Sequence, residues 1–137
     1  MVTEHDLALL EAARSAQAHA YAPFSKYPVG AAVRTGSGAI YSGCNVESAS
    51  FSLTCCAERV AVFKAVSDGE RQIVACAIVT DERVPATPCG ACRQVLHEFG
   101  PNMRIVLGGG TDDVRIMELD TLLPEGFDPE QVLSRLR

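Results

Sequence analysis

The sequence predicts an α/β domain, a three-layer α-β-α sandwich on a five-stranded mixed sheet. Three observations carry this. Segments of helical and strand period follow in the order α-β-β-α-β-α-β-β-α. The run from Ile73 to Thr80 is apolar throughout, as in a central strand covered on both faces. The segment from Cys55 to Ser67 is apolar almost all round, as in a helix buried between layers. No repeat or low-complexity stretch breaks the order, so residues 1–137 are read as a single domain.

Thr3, with Glu4 and Asp6 behind it, has the form of a helix cap, and Leu7, Leu10, Ala13, Ala16 and Ala20 recur at helical spacing, predicting a helix from about residue 4 to 19. Pro23 and Pro28 then exclude helix and leave an aromatic-bearing loop. Val29 to Thr35 and Ala39 to Asn45 read as a hairpin around Gly36-Ser37-Gly38. Val46 to Thr54 is a polar, Ser-rich connection to the buried helix, which Asp68-Gly69 ends. After the strand from Ile73, a third helix is expected over about 89 to 98, stopping at Gly100-Pro101. Met103 to Leu107 and Val114 to Met117 are two more strands. The Gly108-Gly109-Gly110 run between them lacks the Lys of a phosphate loop and is read as a turn. Val132, Leu133 and Leu136 mark a short amphipathic helix in the tail.

A net charge of −5 with no run of Lys or Arg argues against a polynucleotide partner. No apolar run has membrane-spanning length, and the acidic start, Met1 to Asp6, is unlike a targeting peptide, so a cytoplasmic location is expected. In a reducing compartment the six cysteines are metal ligands or buried small hydrophobes. Cys44 and Cys76, inside strand-like runs, are assigned to the core.

The chemistry concentrates in Cys56-Ala57-Glu58-Arg59 and Pro88-Cys89-Gly90-Ala91-Cys92. Thr54 and Thr87 are placed as helix caps, with Pro88 at the first helical position, so Cys56, Cys89 and Cys92 fall in first turns near positive helix ends. Three thiolates on a zinc dication leave one net negative charge, which acidifies a bound water less well than neutral ligands would. The two helix ends and the Arg59 guanidinium are the groups that can draw charge back. Glu58 lacks the Ser or Thr three residues earlier that a capping box needs, and is read as a general acid/base beside the metal. Cys55, turned about 100° from Cys56 if both are helical, is read as structural. His5, His19 and His97 are scattered and are not read as ligands.

These motifs resemble the small, homotetrameric, zinc-dependent cytidine deaminases of pyrimidine salvage. The likeness extends over Phe24 to Ala32, Gly43-Cys44-Asn45-Val46-Glu47, both cysteine motifs through Gln94, and Leu122-Leu123-Pro124 leading to Phe127. It implies a cytidine deaminase-like fold. It also implies one Zn²⁺ per subunit on Cys56, Cys89 and Cys92, and Glu58 as the proton carrier. Asn45 and Glu47 would hold the ribose 3′-hydroxyl, and Phe24 would lie against the pyrimidine. Ala57 would contact substrate, Phe127 would reach a neighbouring subunit's site, and Arg59 would hydrogen-bond the zinc thiolates. The implied reaction is hydrolysis of free cytidine and 2′-deoxycytidine to uridine and 2′-deoxyuridine with release of ammonia. Tyr27 stands where the family motif has Phe, and Cys56 where polynucleotide editors usually have His.

Two other readings stay open on sequence. One is a deaminase of a nucleoside-like antibiotic such as blasticidin S, against which the Asn45 and Glu47 pair argues. The other is a structural zinc-binding assembly protein whose site Cys55 closes as a fourth thiolate.

Overall fold

Thr3 starts the first helix. In the computed structural model, which describes residues 1–137, the N–H of Asp6 donates to its hydroxyl at 3.2 Å, and Asp6 Oδ2 accepts the N–H of Thr3 at 2.9 Å. This reciprocal cap satisfies two donors that a helix start would otherwise leave orphaned. Helix α1 runs Glu4–Gln17, a little shorter than its apolar period suggests, and buries Leu9, Leu10 and Ala13. Asp6 also takes Arg104 in a two-point ion pair, at 2.9 Å on Oδ1 and 2.8 Å on Oδ2, tying the helix start to the far side of the chain.

Strands β1 (Gly30–Thr35) and β2 (Ile40–Cys44) form the expected hairpin. Helix α2 (Ala57–Ser67), strand β3 (Ile73–Val79), helix α3 (Gly90–Phe99) and strand β4 (Arg104–Gly108) follow. Strand β5 (Val114–Glu118) completes one sheet of order β2-β1-β3-β4-β5. The sheet is mixed. Only β3 and β4 are parallel, as their connection through the crossover helix α3 requires, and the other neighbours are antiparallel.

Alternation along the strands separates two cores, one on each face of the sheet. Ala32, Ala75, Ala77, Val79 and Val106 face α1, while Ala31, Val33, Cys76, Ile78, Ile105 and Leu107 face α2 and α3. This is the three-layer sandwich that the sequence predicts. Leu9, Leu107 and Leu96 are fully buried, and truncating any one of them to Ala would cost about 2–5 kcal/mol. The small residues have a positive purpose. A Cβ on Gly43 would lie 2.7 Å from the backbone N of Ala61, so only glycine lets α2 approach β2 this closely.

Three features differ from the sequence reading. The Ser-rich connection contains a single 3-10 turn, Phe51–Leu53, and the segment after β5 forms a four-residue helix α4 (Leu119–Leu122) before the tail helix α5 (Pro129–Leu136). Both pieces are too short to show a period. Cys76 is fully buried as expected, but Cys44 is only half-buried, because β2 is an edge strand with β1 as its one neighbour.

Candidate metal centre and active site

The buried helix α2 and the crossover helix α3 both begin at cysteines. Cys56 is the cap of α2 and Cys89 the cap of α3, one residue before each helix and later than the expected Thr54 and Thr87. The threonines are engaged elsewhere. Thr54 Oγ1 accepts the N–H of Ser48 at 3.1 Å, and Thr87 Oγ1 accepts from Arg93 Nη2 at 3.1 Å. Pro88 accordingly lies outside the helix, where its carbonyl takes Arg93 Nε at 2.7 Å. Cys89 Sγ itself accepts the N–H of Cys92 at 3.4 Å, a thiol doing the work of a capping hydroxyl.

The sulfurs of Cys56, Cys89 and Cys92 lie within 4.8 Å of one another and form a group able to hold a metal ion. Cys92 is buried, Cys56 half-buried and Cys89 exposed. Arg59, one turn along α2, donates from Nη2 to Cys56 Sγ at 3.3 Å. Hydrogen bonds from the Cys92 thiol and from this guanidinium hold Cys56 well below the ordinary thiol range, while the neighbouring Cys56 sulfur and burial push Cys92 up. The cluster thus gathers negative charge beside a fixed cation and at two helix N-termini.

Cys55 is not part of the group. It precedes α2 in an extended bridge with Val46, its N–H and carbonyl both paired there, so its side chain points to the side opposite Cys56. It lines a separate surface depression with Tyr41 and Phe63. The closed four-cysteine site is therefore not built, and a metal here would have three cysteine ligands.

Cys56 and Glu58 together line a cavity of about 400 Å³. Glu58 is 5% exposed, and burial, reinforced by the Cys56 sulfur, pushes its carboxyl up to about 6. A carboxylic acid so placed can both take and give a proton near neutral pH. Ala57, the first residue of α2, lines the same cavity, and its N–H is one of the donors that a helix start leaves free.

Asn45 and Glu47 form the opposite wall. Asn45 is buried and spends its amide on the loop, accepting the N–H of Val29 at 2.9 Å and donating to the carbonyl of Tyr27 at 2.8 Å. One donor hydrogen and one lone pair remain. Glu47 is held below the usual carboxylate range, chiefly by the Ser25 hydroxyl and then by the N–H groups of Ser25 and Phe24.

Phe24 is not in this cavity. Its ring turns outward and packs edge-on to Phe51, centroids 5.7 Å apart, in an adjoining depression. The aromatic residue that lines the cavity is Tyr27, carried inward by Lys26, whose φ of 57° turns the loop back. The structure thus sets Tyr27 on the cavity wall and Phe24 beside it, a placement no hydropathy pattern reveals, because a left-handed lysine leaves no mark in sequence. Phe127 is also outside the cavity. It is 78% exposed, with its backbone N–H and carbonyl bound by the Gln94 side chain at 3.2 and 3.1 Å.

A family model described as the cytidine and deoxycytidylate deaminase zinc-binding region matches residues 3–108. The chain belongs to this deaminase family. It is 46% identical over 125 residues to the cytidine deaminase of Sporosarcina psychrophila, covering 90% of this chain and 92% of that protein. It is 43% identical over 125 residues to that of Halalkalibacterium halodurans, covering 90% and 95%. The 1.6 Å crystal structure of cytidine deaminase from Burkholderia pseudomallei superposes with a TM-score of 0.86 at 46% identity, over 92% of this chain and 100% of that one. Zinc, the metal named by the family description, suits the donor set. A tetrahedral Zn–S bond of about 2.3 Å sets sulfurs about 3.8 Å apart, within reach of the observed cluster, so Cys56, Cys89 and Cys92 would hold the ion with three thiolates. No helix is long and apolar enough to cross a membrane.

Proposed function

We propose that this cavity hydrolyses cytidine to uridine and ammonia, and 2′-deoxycytidine to 2′-deoxyuridine, in pyrimidine salvage. The observation that carries the reading is a buried carboxyl, Glu58, lining one cavity with Cys56, a member of the three-thiolate group. Zinc bound by Cys56, Cys89 and Cys92 would supply a water acidified towards neutrality.

The chain's own groups do the rest. Glu58 takes a proton from the attacking water and places it on N3 of the base, which makes C4 electrophilic. It then carries the proton of the new C4 hydroxyl to the amine, which leaves as ammonia. The free N–H of Ala57 orients the base, Tyr27 covers its ring, and Asn45 and Glu47 hold the sugar 3′-hydroxyl. Arg59 draws charge from Cys56.

Phe127 lies outside its own cavity and is exposed, and in this reading it serves the site of a neighbouring copy in a homotetramer. Sedimentation of the zinc-loaded chain tests this, and a monomer with full activity would contradict it. Three metal-binding thiols suit a reducing cytoplasm.

The deciding experiment follows the ultraviolet spectrum of cytidine with zinc-loaded protein. Conversion to uridine is the expected result. An unchanged spectrum from a protein that retains its zinc would overturn the reading.

A further inference from the structure

The loop from Phe24 to Val29 is templated on the two side chains proposed to hold the sugar. Glu47 Oε1 accepts the N–H of Phe24 at 2.9 Å and of Ser25 at 3.1 Å, and Oε2 accepts the Ser25 hydroxyl. The same Ser25 oxygen accepts the N–H of Tyr27 at 3.1 Å. Asn45 takes the Tyr27 carbonyl from the other side at 2.8 Å. Tyr27 is thereby fixed at both ends of its backbone, immediately after a lysine held at a φ of 57°. A lysine adopts that conformation where its surroundings impose it.

Ser25 is the joint in this arrangement. A hydroxyl has one donor hydrogen, here given to Glu47, and lone pairs, one of which receives Tyr27. Removing it empties Glu47 Oε2 and frees the Tyr27 N–H in a single step. Phe24 and Lys26, its neighbours, make no such link between carboxylate and ring.

We propose that Ser25 is a positioning residue for this reaction, its hydroxyl coupling the carboxylate that reads the sugar to the aromatic wall that covers the base. The inference rests on the nucleoside reading above. Sugar recognition and ring placement then belong to one hydrogen-bond chain, Glu47 to Ser25 to Tyr27, so a change at Ser25 is felt as lost discrimination between sugars.

The test compares cytidine with 3′-deoxycytidine as substrates of the zinc-loaded protein. Variants are Ser25→Ala, Ser25→Thr, Glu47→Gln and the Ser25→Ala/Glu47→Gln pair. Ser25→Ala should raise KM for cytidine about tenfold, as for a lost hydrogen bond to a charged group, while kcat changes by less than about threefold. The preference for cytidine over 3′-deoxycytidine should fall by a similar factor, Ser25→Thr should restore it, and Ser25→Ala should add little to Glu47→Gln. Unchanged discrimination in Ser25→Ala, or effects that multiply in the double variant, would overturn the proposal while the deaminase reading stood. Absence of cytidine turnover in the unsubstituted protein would instead overturn both. If Ser25→Ala does not fold, Ser25→Cys replaces it, with a smaller loss of discrimination expected and an unchanged ratio as the contrary result.

Discussion

Arg59 Nη2 donates to Cys56 Sγ at 3.3 Å, from one turn further along the same helix. A guanidinium so placed is the compensating charge that a three-thiolate site needs if its water is to ionise near neutrality. Arg59→Gln should therefore keep the fold and lose roughly 10–100-fold in zinc affinity or activity, the usual cost of removing a group that orients a metal ligand. Zinc titration with a competing chelator, alongside steady-state rates, reads both. Wild-type values in each would show that the charge of Arg59 is irrelevant to the cluster.

The cysteines divide into two sets. Cys56→Ser, Cys89→Ser or Cys92→Ser should release the metal, because a neutral hydroxyl replaces one of three thiolates, whereas Cys55→Ser should retain it. Metal content per chain after gel filtration distinguishes the sets. Loss of zinc on Cys55→Ser would restore the four-cysteine reading.

The core packing makes an independent prediction. A Cβ on Gly30 would lie 1.9 Å from the carbonyl oxygen of Ala13 and 2.7 Å from the backbone N of Gln17, both rigid parts of α1. Gly30→Ala should destabilise the protein by about 3 kcal/mol, the upper end of typical overpacking costs. A shift of the urea midpoint measures it. An unshifted midpoint would mean that α1 moves freely over β1.

Acid stability should depend on Asp6. Its hydrogen bonds from Arg104, foremost, hold its carboxyl at about 2, below the unfolded value of about 3.9. A depressed carboxylate contributes stability that is fully present above about pH 4 and is lost as the pH falls towards 2. Discounted for the solvent that reaches Arg104, the contribution is about 1–2 kcal/mol. Asp6→Asn should lower stability by that amount at pH 7 and converge with the parent near pH 2. Denaturation curves running parallel at both pH values would contradict the ion pair's role.

Much of this was legible in sequence because it rests on local rules. The uninterrupted apolar run from Ile73 and the all-round apolar segment from Cys55 to Ser67 place the central layers, and the two cysteine motifs name the metal group. The rest depended on tertiary competition. Thr54 and Thr87 are sound caps by propensity, yet Ser48 and Arg93 claim their hydroxyls and leave the helix starts to Cys56 and Cys89. The resemblance points to Phe24 as the wall, yet past the left-handed turn at Lys26 it is Tyr27 that lines the cavity. The Gln94 clamp on Phe127 spans 33 positions and has no local signature.

In the proposed reaction Glu58, buried beside Cys56, moves the protons. Glu58→Gln keeps the shape and removes the ionisable group, so zinc content and cytidine binding should match the parent protein while cytidine turnover falls by at least about 100-fold, the lower range of general acid–base contributions. Turnover at the parent rate in a zinc-loaded Glu58→Gln protein would contradict the claim.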